Sequence, residues 1–219
     1  MTHHLRIKIC GITNAEDARQ AALLGADAIG LNCHPPSPRY VKPEAVSQII
    51  QTLPPFLEAV AVVTDLARLQ WALTDCRQRT IQWHGDPAVL GNAPPPVEMS
   101  SGCLIVAVAV EDRESLERIP HLLEQARGKG WQPGAVLIDG YQKGLLGGTG
   151  QAAPWQLLAE FDPGVPLILA GGLTPENVAE AVRIVRPYAV DVASGVESSP
   201  GKKDLEKMRR FIDNARSAL

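Results

Sequence analysis

Lys8-Ile9-Cys10-Gly11-Ile12-Thr13 ends a short apolar run with a cysteine and follows it with a glycine turn. Thr13 and Glu16 have the spacing of a helix capping box, so this stretch predicts a strand, a tight turn and then a helix. Cys10 would lie at the carboxyl end of the strand, which is where a β/α-barrel carries its chemistry. A thiolate there can take up a proton, attack a carbon atom or bind a metal ion.

The composition excludes several classes of partner. The chain has 219 residues, 45% of them hydrophobic, and a formal net charge of −3. No cluster of basic residues is interleaved with aromatic residues, so no nucleic-acid interface is predicted. Lys202 and Lys203 are followed at once by acidic residues, and we expect the pair at a solvated helix start.

The cysteines and histidines do not have the spacing of a metal site. The four cysteines are scattered along the chain, and the five histidines form no HxH or HExxH pair. We expect Cys76 and Cys103 to be buried and Cys33 to line a pocket. No signal peptide and no apolar run of transmembrane length is recognisable, so a cytoplasmic protein without membrane contact is predicted.

Eight apolar runs rich in Val, Ile and Ala alternate with helical patterns. The predicted strands are residues 6–10, 26–32, 58–64, 80–84, 104–110, 135–139, 166–170 and 189–193. The predicted helices are residues 14–24, 42–51, 65–76, 87–90, 112–127, 154–160, 175–185 and 203–218. Nearly continuous apolar strands are typical of a parallel sheet that is buried on both faces.

This alternation predicts a single (β/α)8 barrel domain over residues 1–219, with the active site at the carboxyl ends of the strands. A doubly wound sheet is the alternative. That fold normally has its glycine-rich fingerprint after the first strand, whereas the glycines of this chain come late.

Glycines follow the last two predicted strands. Gly171 and Gly172 come after the seventh strand, and Ser194 and Gly195 come after the eighth. Glycine amides can approach an anion closely, and a helix beginning near Pro175 would direct its N–H groups at the same space. The residues therefore predict a phosphate site, with tight turns alone as the alternative.

Three further side chains are candidates for chemistry. The position of Cys10 before a helix predicts a lowered thiol pKa. Asp139 follows Leu137 and Ile138, whose apolar surroundings would raise its pKa and suit it to act as an acid, while a solvated turn aspartate is the alternative. Arg39 offers a bidentate guanidinium to a substrate carboxylate, or else is a surface arginine.

The chain resembles the phosphoribosylanthranilate isomerase family over nearly its whole length. The motifs that carry the resemblance are 8–13, Ser37-Pro38-Arg39-Tyr40-Val41, His84-Gly85-Asp86, Gly147-Gly148-Thr149-Gly150, 170–178 and 191–197. The glycine motifs occur in many phosphate-binding barrels. The cysteine motif and the Ser-Pro-Arg motif together are much more specific.

The resemblance implies a cofactor-free Amadori rearrangement of a small phosphorylated substrate in tryptophan biosynthesis. The sequence leaves a monomer and a homodimer as alternatives. The resemblance implies that Asp139 is the general acid, Cys10 the general base and Arg39 the partner of the substrate carboxylate. It further implies a phosphate clamp and a set of supporting residues. The clamp is Gly171, Gly172, Ser194 and Gly195, and the supporting residues are His84, Asp191 and Gly148.

Two alternatives remain at this level. The histidine-pathway isomerase performs the same rearrangement on a larger bis-phosphorylated substrate, but that family has an aspartate at the position of Cys10 and a second phosphate site. A catalytically idle barrel that binds a phosphorylated metabolite is the other. The chain also has Leu31-Asn32-Cys33 where the family usually has phenylalanines, which leaves a shifted substrate preference open.

Overall fold

Eight parallel strands close into a barrel in the computed structural model, which describes residues 4–74, 79–92, 104–140 and 155–218. Each strand pairs with the next one in the chain, and the eighth pairs with the first. The strands are β1 Arg6–Cys10, β2 Ala28–Asn32, β3 Glu58–Val63, β4 Thr80–Trp83, β5 Leu104–Ala109, β6 Ala135–Asp139, β7 Leu167–Ala170 and β8 Ala189–Val192. The predicted (β/α)8 barrel is confirmed.

Helices connect the strands on the outside of the barrel. They are α1 Ala15–Leu24, α2 Pro43–Gln51, α3 Leu66–Thr74, α4 Pro87–Asn92, α5 Arg113–Gly128, α6 Trp155–Leu158, α7 Val178–Val185 and α8 Leu205–Arg216. A 3-10 helix, Ser194–Val196, and a small antiparallel pair, β9 Glu197–Ser199 and β10 Lys202–Lys203, lie between β8 and α8. None of the helices in these ranges is long and apolar enough to cross a membrane.

The strands are apolar on both faces because both faces are covered. Small and medium side chains fill the interior of the barrel, among them Val60, Ile105, Leu137 and Ile168. The opposite faces pack against the helices in a larger cluster. Since side chains alternate along a strand, this arrangement fixes which residues can reach the active-site end from inside the barrel.

The cap of α1 differs from the predicted capping box. The N-cap is Asn14, whose side chain accepts a hydrogen bond of 2.8 Å from the Asp17 amide. Thr13 instead donates its hydroxyl to the Gly201 carbonyl at 2.6 Å. The residue before the observed cap therefore ties the β1–α1 loop to the segment after β9.

The expectation for Lys203 is wrong. Its side chain is fully buried and its Nζ lies 3.0 Å from Oε1 of Glu197. Lys202 is exposed, so the two neighbouring lysines have opposite environments. The alternation of β10 produces this difference, which a helical interpretation of the segment could not anticipate.

Candidate active site

A cavity of about 350 Å³ opens at the carboxyl ends of the strands. Cys10 from β1, Gln82 from β4, Asp139 from β6 and Asp191 from β8 all line it. The cavity therefore gathers polar side chains that are far apart in sequence onto one end of the barrel, as the fold predicts.

Lys8 lies directly below this cavity inside the barrel. Its Nζ donates to Oδ1 of Asp191 and to Oε1 of Gln82, both at 2.9 Å. Lys8 is 4% exposed and Asp191 is 7% exposed. Lys8 and Asp191 are register partners on β1 and β8, so the closure of the barrel itself creates the ion pair. Asp191 is thus the partner of a buried lysine, and Lys8 was not among the residues predicted for the site.

The surroundings of Cys10 contradict the predicted lowering of its thiol pKa. Burial raises the pKa of the Cys10 thiol above its ordinary value. The positive charges of Lys8 and Lys203 oppose this rise, while Asp191 adds to it. The thiol therefore holds its proton more tightly than an ordinary cysteine, and a base at this position depends on cations to stabilise the thiolate.

Gly30 makes room for Cys10. The two residues are register partners on β2 and β1. A Cβ at Gly30 would lie 2.6 Å from Sγ of Cys10 and 3.0 Å from Nζ of Lys8. The thiol and the ammonium group therefore border the same small space, and only glycine leaves that space open.

Asp139 ends β6 and faces the cavity from a strand that β7 and β8 separate from β1. Gly171 follows β7 with a φ of +82°. A Cβ at Gly171 would lie 2.4 Å from Oδ1 of Asp139. The glycine is therefore required both by the backbone conformation and by the position of the carboxyl group.

We expect Gly171→Ala to reduce kcat by roughly 100-fold, because the added Cβ would displace Asp139, the candidate acid, and misplacing a catalytic group by about 1 Å is costly. Gly130→Ala is the matched control, since Gly130 has a φ of +80° and a Cβ added there would have no neighbour within 4 Å. Steady-state kinetics of both variants separate backbone strain from displacement of Asp139. Equal losses of activity would contradict the contact argument.

Arg39 lines the cavity but its guanidinium fork is directed at Glu197. Nε donates to Oε1 at 2.8 Å and Nη2 donates to Oε2 at 2.7 Å. Glu197 also accepts from Nζ of Lys203 at 3.0 Å. Burial alone would raise the pKa of Glu197, but the hydrogen bonds from Arg39 and the charge of Lys203 keep that pKa below its ordinary value. The bidentate partner of Arg39 is thus an internal carboxylate, which differs from the expected use of the fork.

The glycine-rich residues divide into two groups. Gly171, Gly172 and Ser194 line the cavity. Gly195 is not among the lining residues, and a Cβ there would lie 2.0 Å from the Leu173 carbonyl oxygen. Its missing side chain therefore allows the loops after β7 and β8 to pack together.

The start of α7 also differs from the prediction. The helix begins at Val178, and a turn over residues 174–177 precedes it. Within this turn the amides of Thr174 and Glu176 donate to side chains, and those of Asn177 and Val178 donate to the Thr174 carbonyl. These N–H groups are consumed locally, so an anion in the cavity would depend on the glycine loop and Ser194 instead.

The remaining predicted residues have varied positions. Nδ1 of His84 lies 3.3 Å from Nε2 of Gln82 at the cavity. Leu31 and Cys33 are buried in the core between barrel and helices, so Cys33 does not line the pocket and only Asn32 of that triplet does.

Cys76, Cys103 and Gly148 lie outside the described residues. Within the described ranges, no group of three or more potential ligands could hold a metal ion.

Comparisons with known proteins identify the family. A family model described as N-(5′-phosphoribosyl)anthranilate (PRA) isomerase matches residues 7–214. The N-(5′-phosphoribosyl)anthranilate isomerase of Geobacter sulfurreducens is 42% identical over 214 residues, covering 97% of this chain and 98% of the relative.

Two solved structures have the same fold. A phosphoribosyl anthranilate isomerase in complex with reduced 1-(o-carboxyphenylamino)-1-deoxyribulose 5-phosphate superposes with a TM-score of 0.77 at 34% identity, covering 98% of this chain and 100% of that one. Monomers generated from the dimeric enzyme of Thermotoga maritima give a TM-score of 0.76 at 33% identity, with the same coverage. The match extends over almost the entire barrel, including the strands that carry Cys10 and Asp139, and the chain belongs to the N-(5′-phosphoribosyl)anthranilate isomerase family.

Proposed function

We propose that the chain converts N-(5′-phosphoribosyl)anthranilate into 1-(2-carboxyphenylamino)-1-deoxyribulose 5-phosphate, a step of tryptophan biosynthesis. The observation that carries the proposal is that one cavity holds a thiol on β1 and a carboxyl group on β6. An aldose-to-ketose rearrangement needs one acid and one base that reach a bound sugar from different sides.

In the proposed reaction Asp139 donates a proton to the ribose ring oxygen. The C1–O bond breaks and the anilino nitrogen forms a protonated Schiff base with C1. Cys10 then takes the proton from C2, and the electrons of the C–H bond form an enolamine that tautomerises to the ketone. No step transfers a hydride, so the reaction requires no redox cofactor.

The two anionic ends of the substrate have separate candidate partners. The phosphate would lie against Gly171, Gly172 and Ser194, where backbone and a hydroxyl are accessible. The anthranilate carboxylate would approach Arg39 from the cavity side. Because Glu197 occupies Nε and Nη2, the carboxylate would be bound through Nη1 and not through a free fork. Gly195 would support the phosphate loops by packing rather than by contact.

Glu197→Gln is expected to raise KM for the substrate by about 10-fold or more and to change kcat less. An amide cannot balance two cations, so Arg39 loses its fixed position while buried Lys203 loses its counter-charge. Removing one member of a buried pair also lowers the free energy of unfolding, by about 3 kcal/mol. Glu206→Gln, at an exposed glutamate of α8, is the matched control. A KM equal to that of the wild type would remove Glu197 from the binding argument.

The proposal is tested by following anthranilate fluorescence after adding freshly generated phosphoribosylanthranilate. Rapid loss of the substrate signal with the wild type, and formation of the ketose, support the isomerase. A folded protein that binds the reduced product analogue without turnover would indicate an idle barrel. Turnover of a bis-phosphorylated histidine-pathway substrate alone would favour the other isomerase.

We further infer that residues 1–219 form one domain with its active site at the carboxyl ends of the strands, acting in the cytoplasm as a monomer or homodimer. The contiguous barrel and the match over 7–214 support the single domain. Relatives occur as a dimer from which monomers have been generated, so sedimentation analysis decides between the two states.

A further inference from the structure

Lys8 is a buried cation next to the candidate base, and the proposed reaction assigns it no role. It lies two residues before Cys10 on β1, so both side chains point into the barrel. The space above Gly30 brings Nζ of Lys8 and Sγ of Cys10 together. Among the residues that the structure describes, Cys10 and Asp191 line the cavity but Lys8 does not. The lysine therefore lies behind the cavity wall.

The hydrogen bonds of Lys8 hold its ammonium group in a fixed position. Asp191 and Gln82 each accept from Nζ at 2.9 Å, the first from β8, which flanks β1, and the second from β4, across the barrel. Burial would lower the pKa of Lys8, but the charges of Asp191 and Cys10 and the hydrogen bonds to them raise that pKa above its ordinary value. A neutral amide as the second partner leaves part of the positive charge available to a neighbouring anion.

We propose that Lys8, held by Asp191 and Gln82, is a positioning residue that stabilises the thiolate of Cys10 when the thiol gives up its proton. This inference rests on the proposed role of Cys10 as the base. Lys8 would act through Cys10 without touching the substrate. It would form an ion pair with the thiolate during the reaction, where desolvation makes an isolated thiolate costly.

Other charged groups also act on Cys10. Asp191 on β8 disfavours the thiolate, and Lys203 on β10 favours it. Arg39, in the loop after β2, is itself affected by the charge of Cys10. Asp139 and His84 face the same cavity from β6 and the loop after β4. Among the charged groups, Lys8 has the largest effect in favour of the thiolate. Removing Lys8 is therefore expected to raise the pKa of Cys10.

The test measures the pH dependence of Cys10 alkylation by iodoacetamide, resolved by peptide mass spectrometry. Lys8→Met should move the midpoint for Cys10 upward by about one pH unit or more relative to wild type. Lys129→Met, at an exposed lysine, is the matched control and should leave the midpoint unchanged. Cys33, which is 1% exposed, reports on unfolding because its peptide should stay protected in every folded variant.

The double variant Lys8→Met/Asp191→Asn covers the case in which Lys8→Met does not fold, since it leaves no buried carboxylate unpaired. Its midpoint should also rise, by less than in the single variant, because Asp191 opposes the thiolate. An unchanged midpoint in either folded variant overturns the proposal.

Activity provides an independent readout. In a wild type that turns over phosphoribosylanthranilate, Lys8→Met should lower kcat while KM changes little, and the rise of kcat/KM with pH should move upward with the alkylation midpoint. A shifted midpoint without any wild-type turnover would leave the Lys8–Cys10 coupling standing and reject the proposed reaction. Normal wild-type turnover together with an unshifted midpoint in Lys8→Met would support the proposed reaction and reject the Lys8–Cys10 coupling.

Discussion

Replacing Cys10 with serine is expected to lower kcat by about 10³-fold while the barrel and its affinity for the reduced product analogue are retained. A serine hydroxyl has nearly the shape of a thiol but is a far weaker acid, so its alkoxide is not formed at neutral pH even next to Lys8. The loss is expected in kcat because Cys10 lines the cavity and a serine hydroxyl takes up nearly the same space in the barrel.

A substrate deuterated at C2 identifies the step that Cys10 performs. If the thiol takes the C2 proton, the residual turnover of Cys10→Ser should show a primary isotope effect at least as large as that of the wild type. Cys10→Asp should recover part of the lost rate, because a carboxylate is ionised at neutral pH and can act as a base near Lys8. Wild-type turnover by Cys10→Ser would show that the base lies elsewhere.

The fold was predictable because its signal is local and repeated. Each strand of a parallel barrel is covered on both faces, which produces the apolar runs, and each run is followed by a helical pattern. The bounds of β1 and β6 agree with the predicted residues 6–10 and 135–139. Deviations of a few residues occur at helix starts, where hydrogen bonds of individual side chains decide the outcome, as for Asn14 and α1.

The electrostatics of the site could not be predicted in the same way. Lys8 and Asp191 are separated by 183 positions and meet only because β8 closes the barrel on β1. Glu197 is likewise 158 positions from Arg39. Without these contacts the sequence suggests a lowered pKa for Cys10 and an Arg39 whose fork is offered to a substrate carboxylate. Burial instead raises the pKa of Cys10, and the Arg39 fork is directed at Glu197. One local signal pointed to a polar barrel interior. Lys8 and Cys10 are two positions apart on an apolar strand and therefore share one face of it.

The ion pairs around the cavity form two networks, Lys8 with Asp191 and Glu197 with Arg39 and Lys203. Their charges indicate where anions are favoured. Among the described residues, Lys8, Arg39 and Lys203 face Asp191 and Glu197 below and beside the cavity. This arrangement has one more cation than it has carboxylates before Asp139 is counted. We therefore expect positive charge to favour the thiolate of Cys10 and a substrate carboxylate beside Arg39.

Asp139→Asn is expected to lower kcat by about 10³-fold through a different step. Asparagine keeps the shape of the side chain next to Gly171 but has no acidic proton to give to the ribose ring oxygen. Ring opening then becomes rate-limiting and precedes removal of the C2 proton. The residual turnover should accordingly lose the isotope effect with C2-deuterated substrate, in contrast to Cys10→Ser.

Asp139→Glu and the pH profile complete this test. The longer acid should recover little activity, because the space between β6 and Gly171 is set for an aspartate. The limb of kcat/KM that falls with rising pH reports the protonated acid, so it should persist in Cys10→Ser and disappear in Asp139→Asn. An isotope effect of wild-type size in Asp139→Asn would mean that the aspartate does not open the ring, and the acid would then have to be sought among the other groups that face the cavity, with His84 as the first candidate.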